Sequence, residues 1–157
     1  MALVPRDPMK SPAIQGGGGR EQPYVLDEQV GFALRQAQQR HTTIFAAKMI
    51  EDLTPTQWAA LAKLREGGDC SQNHLGRLTA MDAATIKGVI DRLTARGFTT
   101  VRPDPHDGRR IVVALTPAGS DLYDRAAPIA ARITDETLGP LNEDERSTLV
   151  ALLRRMA

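Results

Sequence analysis

The spacing of apolar residues along the first part of the chain predicts a long helix. Across residues 25–51, apolar side chains recur at steps of three and four positions, which places them on one helical face. This face consists of Val30, Leu34, Ala37, His41 and Ile44, and it is widened by Phe45 and Met49. Such a helix is about 36 Å long and leaves apolar surface for a partner.

Capping signals divide the rest of the chain. Thr54 with Pro55 and Gln57 is typical of a helix start, and Gly67 with Gly68 ends this second helix. A short helix is predicted over residues 71–78, and a helix capped by Asp82 follows over 83–96. A hairpin comes next, with strands at 98–102 and 110–115. A helix over 116–138 with a break or bend near Pro128, and a last helix from 142 capped by Asn142 and Glu145, complete the chain.

The predicted fold class is therefore mainly α with a small β-wing. A helix-turn-helix followed by a hairpin is a winged helix-turn-helix, whose second helix enters the major groove of DNA. Thr85, Lys87 and Arg92 are the exposed candidates on that helix. Gly88 lies on the face of Thr85 and Arg92, and it permits either close approach to DNA or close packing of another helix. The sequence leaves both interpretations open.

The predicted hairpin tip carries Arg109 and Arg110 next to Asp107. An arginine at such a tip can enter a minor groove, where the negative potential is focused. The Asp107 carboxylate is expected to accept a hydrogen bond from Arg109 and to fix its direction. The alternative is an ordinary solvated turn, because Asp-Gly is common in hairpins.

Charge and composition change this picture only slightly. The net charge is +1, but residues 71–110 hold seven basic and four acidic side chains, which is weak evidence for an anionic partner. The single cysteine, Cys70, excludes an internal disulfide framework and favours a reducing, cytoplasmic setting. The three histidines lack metal-ligand spacing and no apolar run suits a membrane span, so we expect no metal, cofactor or membrane partner.

Four segments stand in a specific order and spacing: residues 53–58, residues 84–93 with Gly97, the wing Asp104-Pro105-His106-Asp107-Gly108-Arg109-Arg110, and residues 115–119. Together they resemble the MarR family of winged helix-turn-helix regulators over about residues 25–157. The resemblance implies a homodimer, joined by the first helix and the last two, on a pseudo-palindromic double-stranded DNA operator. It also implies a repressor released by a small ligand.

The family's wing motif, Asp-x-Arg, falls on Asp107 and Arg109. Base specificity does not transfer, because Asp82 and Ala84 stand where many members have basic or hydroxyl residues, and Gly88 where they have a larger one. Residues 1–23 hold four prolines and a run of four glycines and are expected to form a disordered arm. For the rest, the resemblance implies a dimerisation region at 24–52 and 116–157 and a DNA-binding lobe at 53–115. The DNA-binding candidates are Asn73, Thr85, Lys87, Gly88, Arg92, Asp107, Arg109 and Arg110.

Two further segments, residues 40–45 and 70–77, are similar to regulators of nicotinate breakdown that sense hydroxynicotinate. The implied effector is a small aromatic carboxylate. Histidine can donate to a carboxylate, and aromatic rings can stack on a flat ligand. The ligand-binding candidates are His41, Thr42, Phe45, Trp58 and His74. His41 is alternatively a core or interface histidine, and His74 a contact to DNA phosphate.

Other functions remain open at this stage. Cys70 precedes a helix, where a thiolate is stabilised, so a redox-responsive regulator is one alternative. A winged-helix module for protein contacts is a second. An enzyme is not expected, since the chain shows no Cys/His or Ser/His pair within a recognisable motif.

Overall fold

A computed structural model describes residues 23–157, so the arm predicted for residues 1–23 lies outside the described residues except at its last position. A short 3₁₀ turn, Leu26–Glu28, comes first. The regular elements that follow are α1 (Val30–Lys48), α2 (Pro55–Gly67), β1 (Cys70–Ser71), α3 (Gln72–Leu78), α4 (Ala83–Ala95), β2 (Thr99–Pro103), β3 (Ile111–Leu115), α5 (Pro117–Thr137) and α6 (Glu143–Met156).

The first helix is shorter than its apolar pattern predicts. Gln29 and Met49, which flank α1, have extended backbones with ψ of 130° and 140°. Gln29 makes no side-chain cap to the helix start. The apolar spacing continues past both ends of α1, and without capping signals there the predicted helix was too long.

The capping predictions agree with the structure. Thr54 and Gln57 form the reciprocal cap of α2, and Asn142 and Glu145 form that of α6. The helix α5 continues through Pro128, so of the break or bend expected there the break is contradicted.

The three strands form one antiparallel sheet in the order β1-β3-β2. The hairpin of β2 and β3 pairs Thr99 with Leu115 and Pro103 with Ile111. The two-residue strand β1 adds to the other edge of β3, where Cys70 pairs with Val113. The sheet thus ties the start of α3 to the base of the wing.

The hydrophobic core lies in the helix-turn-helix and wing. Its fully buried side chains come from α2, α3, α4, β3 and α5, and include Leu61, Leu75, Ile86, Ile90, Leu93, Val113 and Leu122. The backbone just before β2 packs tightly against the first turn of α5, because a Cβ at Gly119 would overlap the carbonyl of Phe98. The wing and recognition elements therefore stand on a rigid support.

The long terminal helices contribute little to this core. Phe45 is the buried residue of α1, and α6 has none. Within residues 23–157, no helix combines the length and apolar character needed to cross a membrane.

Candidate nucleic-acid interface and effector cavity

The helix α4 presents a polar face to solvent. Its cap is Asp82, whose carboxylate accepts the Thr85 N–H at 2.7 Å. These hydrogen bonds from Thr85 lower the pKa of the Asp82 carboxyl below its ordinary value of 3.8. The opposite face buries Ile86, Val89, Ile90 and Leu93. Thr85, Lys87 and Arg92 consequently remain exposed, as their spacing predicts.

Gly88 lies open on this face. The three atoms nearest to a Cβ at that position would all belong to the Arg92 guanidinium of the same helix, at 3.5 to 3.8 Å. Gly76 of α3 behaves differently, since a Cβ there would lie 3.1 Å from the Met81 carbonyl and 3.3 Å from Ile86. The close contact within the helix-turn-helix is therefore at Gly76, and no contact in the protomer supports the packing interpretation of Gly88.

The basic side chains of α4 differ in what they contact. Lys87 forms an ion pair with Asp91 at 2.6 Å, so much of its charge is compensated locally. Arg92 has no ion-pair partner among the described residues, and its guanidinium lies against Gly88. Arg92 is thus the cation of α4 that is more available for a phosphate or a base.

The wing tip differs from its predicted geometry. One oxygen of Asp107 accepts the backbone N–H of Arg109 at 3.0 Å, and the other lies 3.2 Å from the guanidinium of Arg110. The Arg109 guanidinium has no acidic partner in the part of the chain that the structure describes. Asp107 therefore shapes the backbone of the turn and leaves the Arg109 side chain free to reach outward.

The start of α3 and the wing form one cleft. Asn73, Arg109 and Arg110 line this cleft, which has a volume of about 120 Å³. A second cleft of about 220 Å³ lies between α3 and α4, and it adds Arg77 to Asn73. Sequence analysis missed Arg77, although it lies four residues after Asn73 and hence on the same helical face.

His41 connects α1 to the end of α5. Its Nδ1 lies 3.0 Å from the Thr137 hydroxyl, which itself donates to the Ile133 carbonyl at 2.8 Å. Because the hydroxyl hydrogen is used there, Nδ1 is the donor in the His41–Thr137 bond. The ring also contacts Phe45, with 5.9 Å between centroids.

Thr42 and Phe45 line a cavity of about 260 Å³ between α1 and the loop that leads to α2. The other lining residues are Ala46, Met49, Asp52, Leu53, Thr54 and Pro55. This volume is close to the lower end of the range for small-molecule sites, about 300–1,000 Å³. The cavity combines an aromatic ring, aliphatic walls, a threonine of α1 and the acidic residue Asp52.

The other two predicted ligand residues make different contacts. Trp58 stacks on Tyr123 of α5 with 5.2 Å between centroids and an interplanar angle of 8°. The backbone N–H of His74 donates to the Ser71 hydroxyl, and its ring lies 3.4 Å from Arg77. His74 thus lies beside the polar clefts of α3, a position that suits its alternative interpretation as a contact to DNA phosphate.

The environment of Cys70 does not favour a thiolate. Burial raises the pKa of the Cys70 thiol above its ordinary value of 9.0, and the Asp69 carboxylate raises it further. A thiol in this state is a poor nucleophile at neutral pH. This observation weakens the redox alternative.

Large apolar side chains are exposed on both terminal helices. Val30 and Leu34 of α1 are 63% and 43% exposed, and the residues of α6 are similar: Leu149, Leu152, Leu153 and Met156. A contiguous apolar face of this kind marks an interaction site.

An exposed second helix, a basic hairpin tip and a rigid core beneath them define a winged helix-turn-helix DNA-binding protein. Comparisons with known proteins agree with this class. Residues 51–110 match the MarR family. The chain is 44% identical over 135 residues to the HTH-type transcriptional repressor NicR of Pseudomonas putida, and the aligned region covers 85% of each chain.

Two solved structures are also similar to this chain. A probable transcriptional regulator from Pseudomonas aeruginosa is 52% identical, with a TM-score of 0.82 over 85% of this chain and 100% of that one. BpsR of Bordetella bronchiseptica, whose DNA binding is regulated by 6-hydroxynicotinic acid, is 45% identical, with a TM-score of 0.77 over 82% and 98%. The chain belongs to the MarR family of transcriptional regulators.

Proposed function

We propose that this regulator is a homodimeric repressor that binds an inverted-repeat operator and releases it when a small aromatic acid binds. One observation carries the DNA-binding assignment. Arg92 on α4 and Arg109 on the wing lack acidic partners among the described residues, whereas Lys87 and Arg110 are paired. Two uncompensated guanidinium groups on the recognition helix and the wing suit a polyanion with a major and a minor groove.

The dimer is supported by the exposed apolar faces of α1 and α6. A single protomer leaves Leu34, Leu149 and Leu153 in water, although each is large enough to contribute to a core. A two-fold dimer buries the same face on both copies. Two recognition helices then match two half-sites about one helical turn apart.

The effector is supported by the cavity at α1 and by the relatives. NicR and BpsR are both more than 40% identical to this chain, and 6-hydroxynicotinic acid regulates DNA binding by BpsR. Phe45 offers a ring face and Thr42 a hydroxyl. Among the described residues, the cavity lining has no basic side chain, and Asp52 is acidic. His41 is not among the lining residues, but its ring contacts Phe45, which is, and we assign the ligand carboxylate to the His41 ring.

DNA binding is tested with a duplex selected from random sequences. We expect an inverted repeat whose affinity falls steeply with salt. The Arg109→Ala variant is expected to bind about tenfold more weakly, with a salt slope reduced by about one. Arg65→Ala, on α2, is the control and retains full affinity. Equal affinity of Arg109→Ala and the unaltered protein contradicts the wing assignment, and failure to bind any duplex favours a protein-interaction module.

The effector is tested by titrating the protein–duplex complex with 6-hydroxynicotinic acid and, for comparison, nicotinic acid. We expect release of the duplex and a rise in Tm with the hydroxylated acid. Thr42→Val removes one hydroxyl at nearly constant shape and is expected to weaken the acid about two- to tenfold. Absence of any thermal shift in the unaltered protein contradicts this effector.

A further inference from the structure

The loop between α1 and α2 is held by two arginines from distant parts of the chain. The Arg96 guanidinium donates to the backbone carbonyl of Glu51 at 2.7 Å and lies 3.7 Å from its carboxylate. Arg125 of α5 lies 3.6 Å from the other carboxylate oxygen. Glu51 therefore joins the end of α4 to α5.

The backbone of this loop requires such support. Glu51 and Asp52 have φ values of 55° and 47°, in the left-handed region that side chains with a Cβ disfavour. Two successive residues of this kind persist only where the surroundings hold them. Here the Arg96 bond to the Glu51 carbonyl and the burial of Leu53, which is 3% exposed, do so.

The same loop is a wall of the effector cavity. Asp52, Leu53 and Thr54 line it opposite Thr42 and Phe45 of α1. A ligand that fills the cavity therefore contacts residues that adjoin Glu51 directly. Movement of this wall is transmitted to Arg96, whose guanidinium donates to the Glu51 carbonyl.

Arg96 belongs to the recognition helix. It is the C-cap residue of α4, and its N–H donates to the carbonyls of Arg92 and Thr94. Its guanidinium also lies over the Phe98 ring, at 4.9 Å from the centroid. The side chain is thus fixed to the end of the helix whose first turn carries Thr85.

We propose that Arg96 is a positioning residue that couples the effector cavity to the recognition helix through Glu51. The proposal rests on the function proposed above and adds its means of regulation. An occupied cavity displaces the loop, the Glu51 carbonyl carries Arg96 with it, and α4 changes its orientation. By linkage, DNA that fixes α4 stabilises the loop.

Arg65 provides a matched control. It too is a partly exposed arginine, with an ion pair to Asp124 at 3.3 Å and a ring contact to Tyr123 at 5.8 Å. Its contacts join α2 to α5, and they involve neither the loop nor α4. Arg65→Ala and Arg96→Ala thus remove similar interactions from different places.

The coupling is tested first in the free protein by hydrogen exchange. In Arg96→Ala we expect the amides of residues 50–54 to exchange about tenfold faster, because local opening becomes easier. Arg96→Lys, which can still donate to the Glu51 carbonyl, restores part of the protection, and Arg65→Ala leaves the loop unchanged. Unchanged exchange in Arg96→Ala overturns the proposal, and this readout needs neither DNA nor effector.

The regulatory consequence is tested with the selected duplex and 6-hydroxynicotinic acid. Arg96→Ala is expected to bind each of them alone within about threefold of the unaltered protein, while the weakening of DNA binding by the acid falls by about fivefold or more. A full response in Arg96→Ala overturns the proposal.

If the acid fails to bind the unaltered protein, the effector assignment is wrong, and the duplex alone decides the coupling. The duplex is then expected to slow exchange at residues 50–54 in the unaltered protein and not in Arg96→Ala. Equal protection in both proteins overturns the coupling.

Discussion

In α4, the three atoms nearest to the position that a Cβ would take at Gly88 all belong to the Arg92 guanidinium, at ordinary contact distances of 3.5 to 3.8 Å. We therefore predict that Gly88→Ala raises the free energy of unfolding by about 0.5–1 kcal/mol, because alanine is the better helix former. The same methyl group is expected to weaken binding to the selected duplex. Chemical denaturation and fluorescence anisotropy, at equal protomer concentration, measure the two effects.

Gly67→Ala is the control for this substitution. A Cβ at Gly67 meets nothing within 4 Å, and this residue ends α2, away from the recognition helix. Its duplex affinity is expected to stay unchanged. Unaltered affinity in Gly88→Ala as well would show that DNA does not approach this face of α4 closely.

The cap of α4 gives a prediction that depends on pH. Hydrogen bonds from Thr85 lower the folded-state pKa of Asp82 below 3.8, so the ionised carboxylate stabilises the folded protein. This contribution is complete above pH 3.8 and is lost as the pH falls through the lowered pKa. Asp82→Ala is therefore expected to lower stability at pH 7, and the difference from the unaltered protein is expected to shrink in acid.

Urea denaturation between pH 7 and pH 3 checks this dependence. Asp82→Asn retains a capping oxygen without the charge, so it separates the hydrogen bond from the titration. A stability difference between Asp82→Ala and the unaltered protein that stays constant down to pH 3 would contradict the assigned cause.

Residue types revealed the wing but not its internal bonds. The Asp-x-Arg pattern predicted that Asp107 accepts a charge-assisted hydrogen bond from Arg109, whereas the bond observed comes from the Arg109 backbone N–H. The pattern did not show that Asp107 accepts the backbone N–H of Arg109 and pairs with Arg110 instead of the Arg109 guanidinium. That choice depends on the backbone of the turn, because an aspartate readily accepts an N–H two residues ahead.

At the scale of elements, α5 contains the same residue type in two different situations. Pro117 is at the first helical position, where its missing N–H is no loss. Pro128 is inside the helix, where it removes the hydrogen bond to the carbonyl four residues earlier. We predict that Pro128→Ala raises the free energy of unfolding by about 1–3 kcal/mol.

Pro117→Ala is the control variant, and its free energy of unfolding is expected to be unchanged or slightly lower. Both variants are measured by thermal and urea unfolding at one protomer concentration, since stability and association are linked. No gain in Pro128→Ala would indicate that the geometry of α5 depends on the proline.

The elements that the sequence predicted are those with local signals. Reciprocal caps at Thr54 and Asn142 located the starts of two helices correctly. The strand β1 was missed, because two residues carry no periodicity and Cys70 pairs with Val113, far along the chain. The bond from Arg96 to Glu51 was missed for the same reason, since it joins residues 45 positions apart.

At the scale of the whole molecule, the apolar residues divide into two groups. Those of residues 53–122 are mostly buried within the protomer, as Leu61, Leu75 and Leu93 show. Those of α1 and α6 are mostly exposed, as Leu34 and Leu152 show. Residues 53–122 thus share one core, to which α5 contributes Leu122, whereas the exposed faces of α1 and α6 need a second surface to cover them.

The last prediction concerns this second surface. Leu152 is 48% exposed and lines an apolar groove of about 470 Å³ along α6 with Leu141 and Leu149. Because no residue of α6 is fully buried within its protomer, Leu152→Glu is expected to leave residues 53–122 folded while it places a charge in the proposed dimer interface. Sedimentation at micromolar concentration is then expected to give one protomer mass, 17.1 kDa, instead of twice that value. Operator affinity is expected to fall about a hundredfold or more, since one half-site alone remains bound.

Leu78→Glu, at a leucine of α3 that is 42% exposed, is the control for oligomeric state and stays dimeric. A dimer that survives Leu152→Glu with full operator affinity would show that α6 does not form the interface.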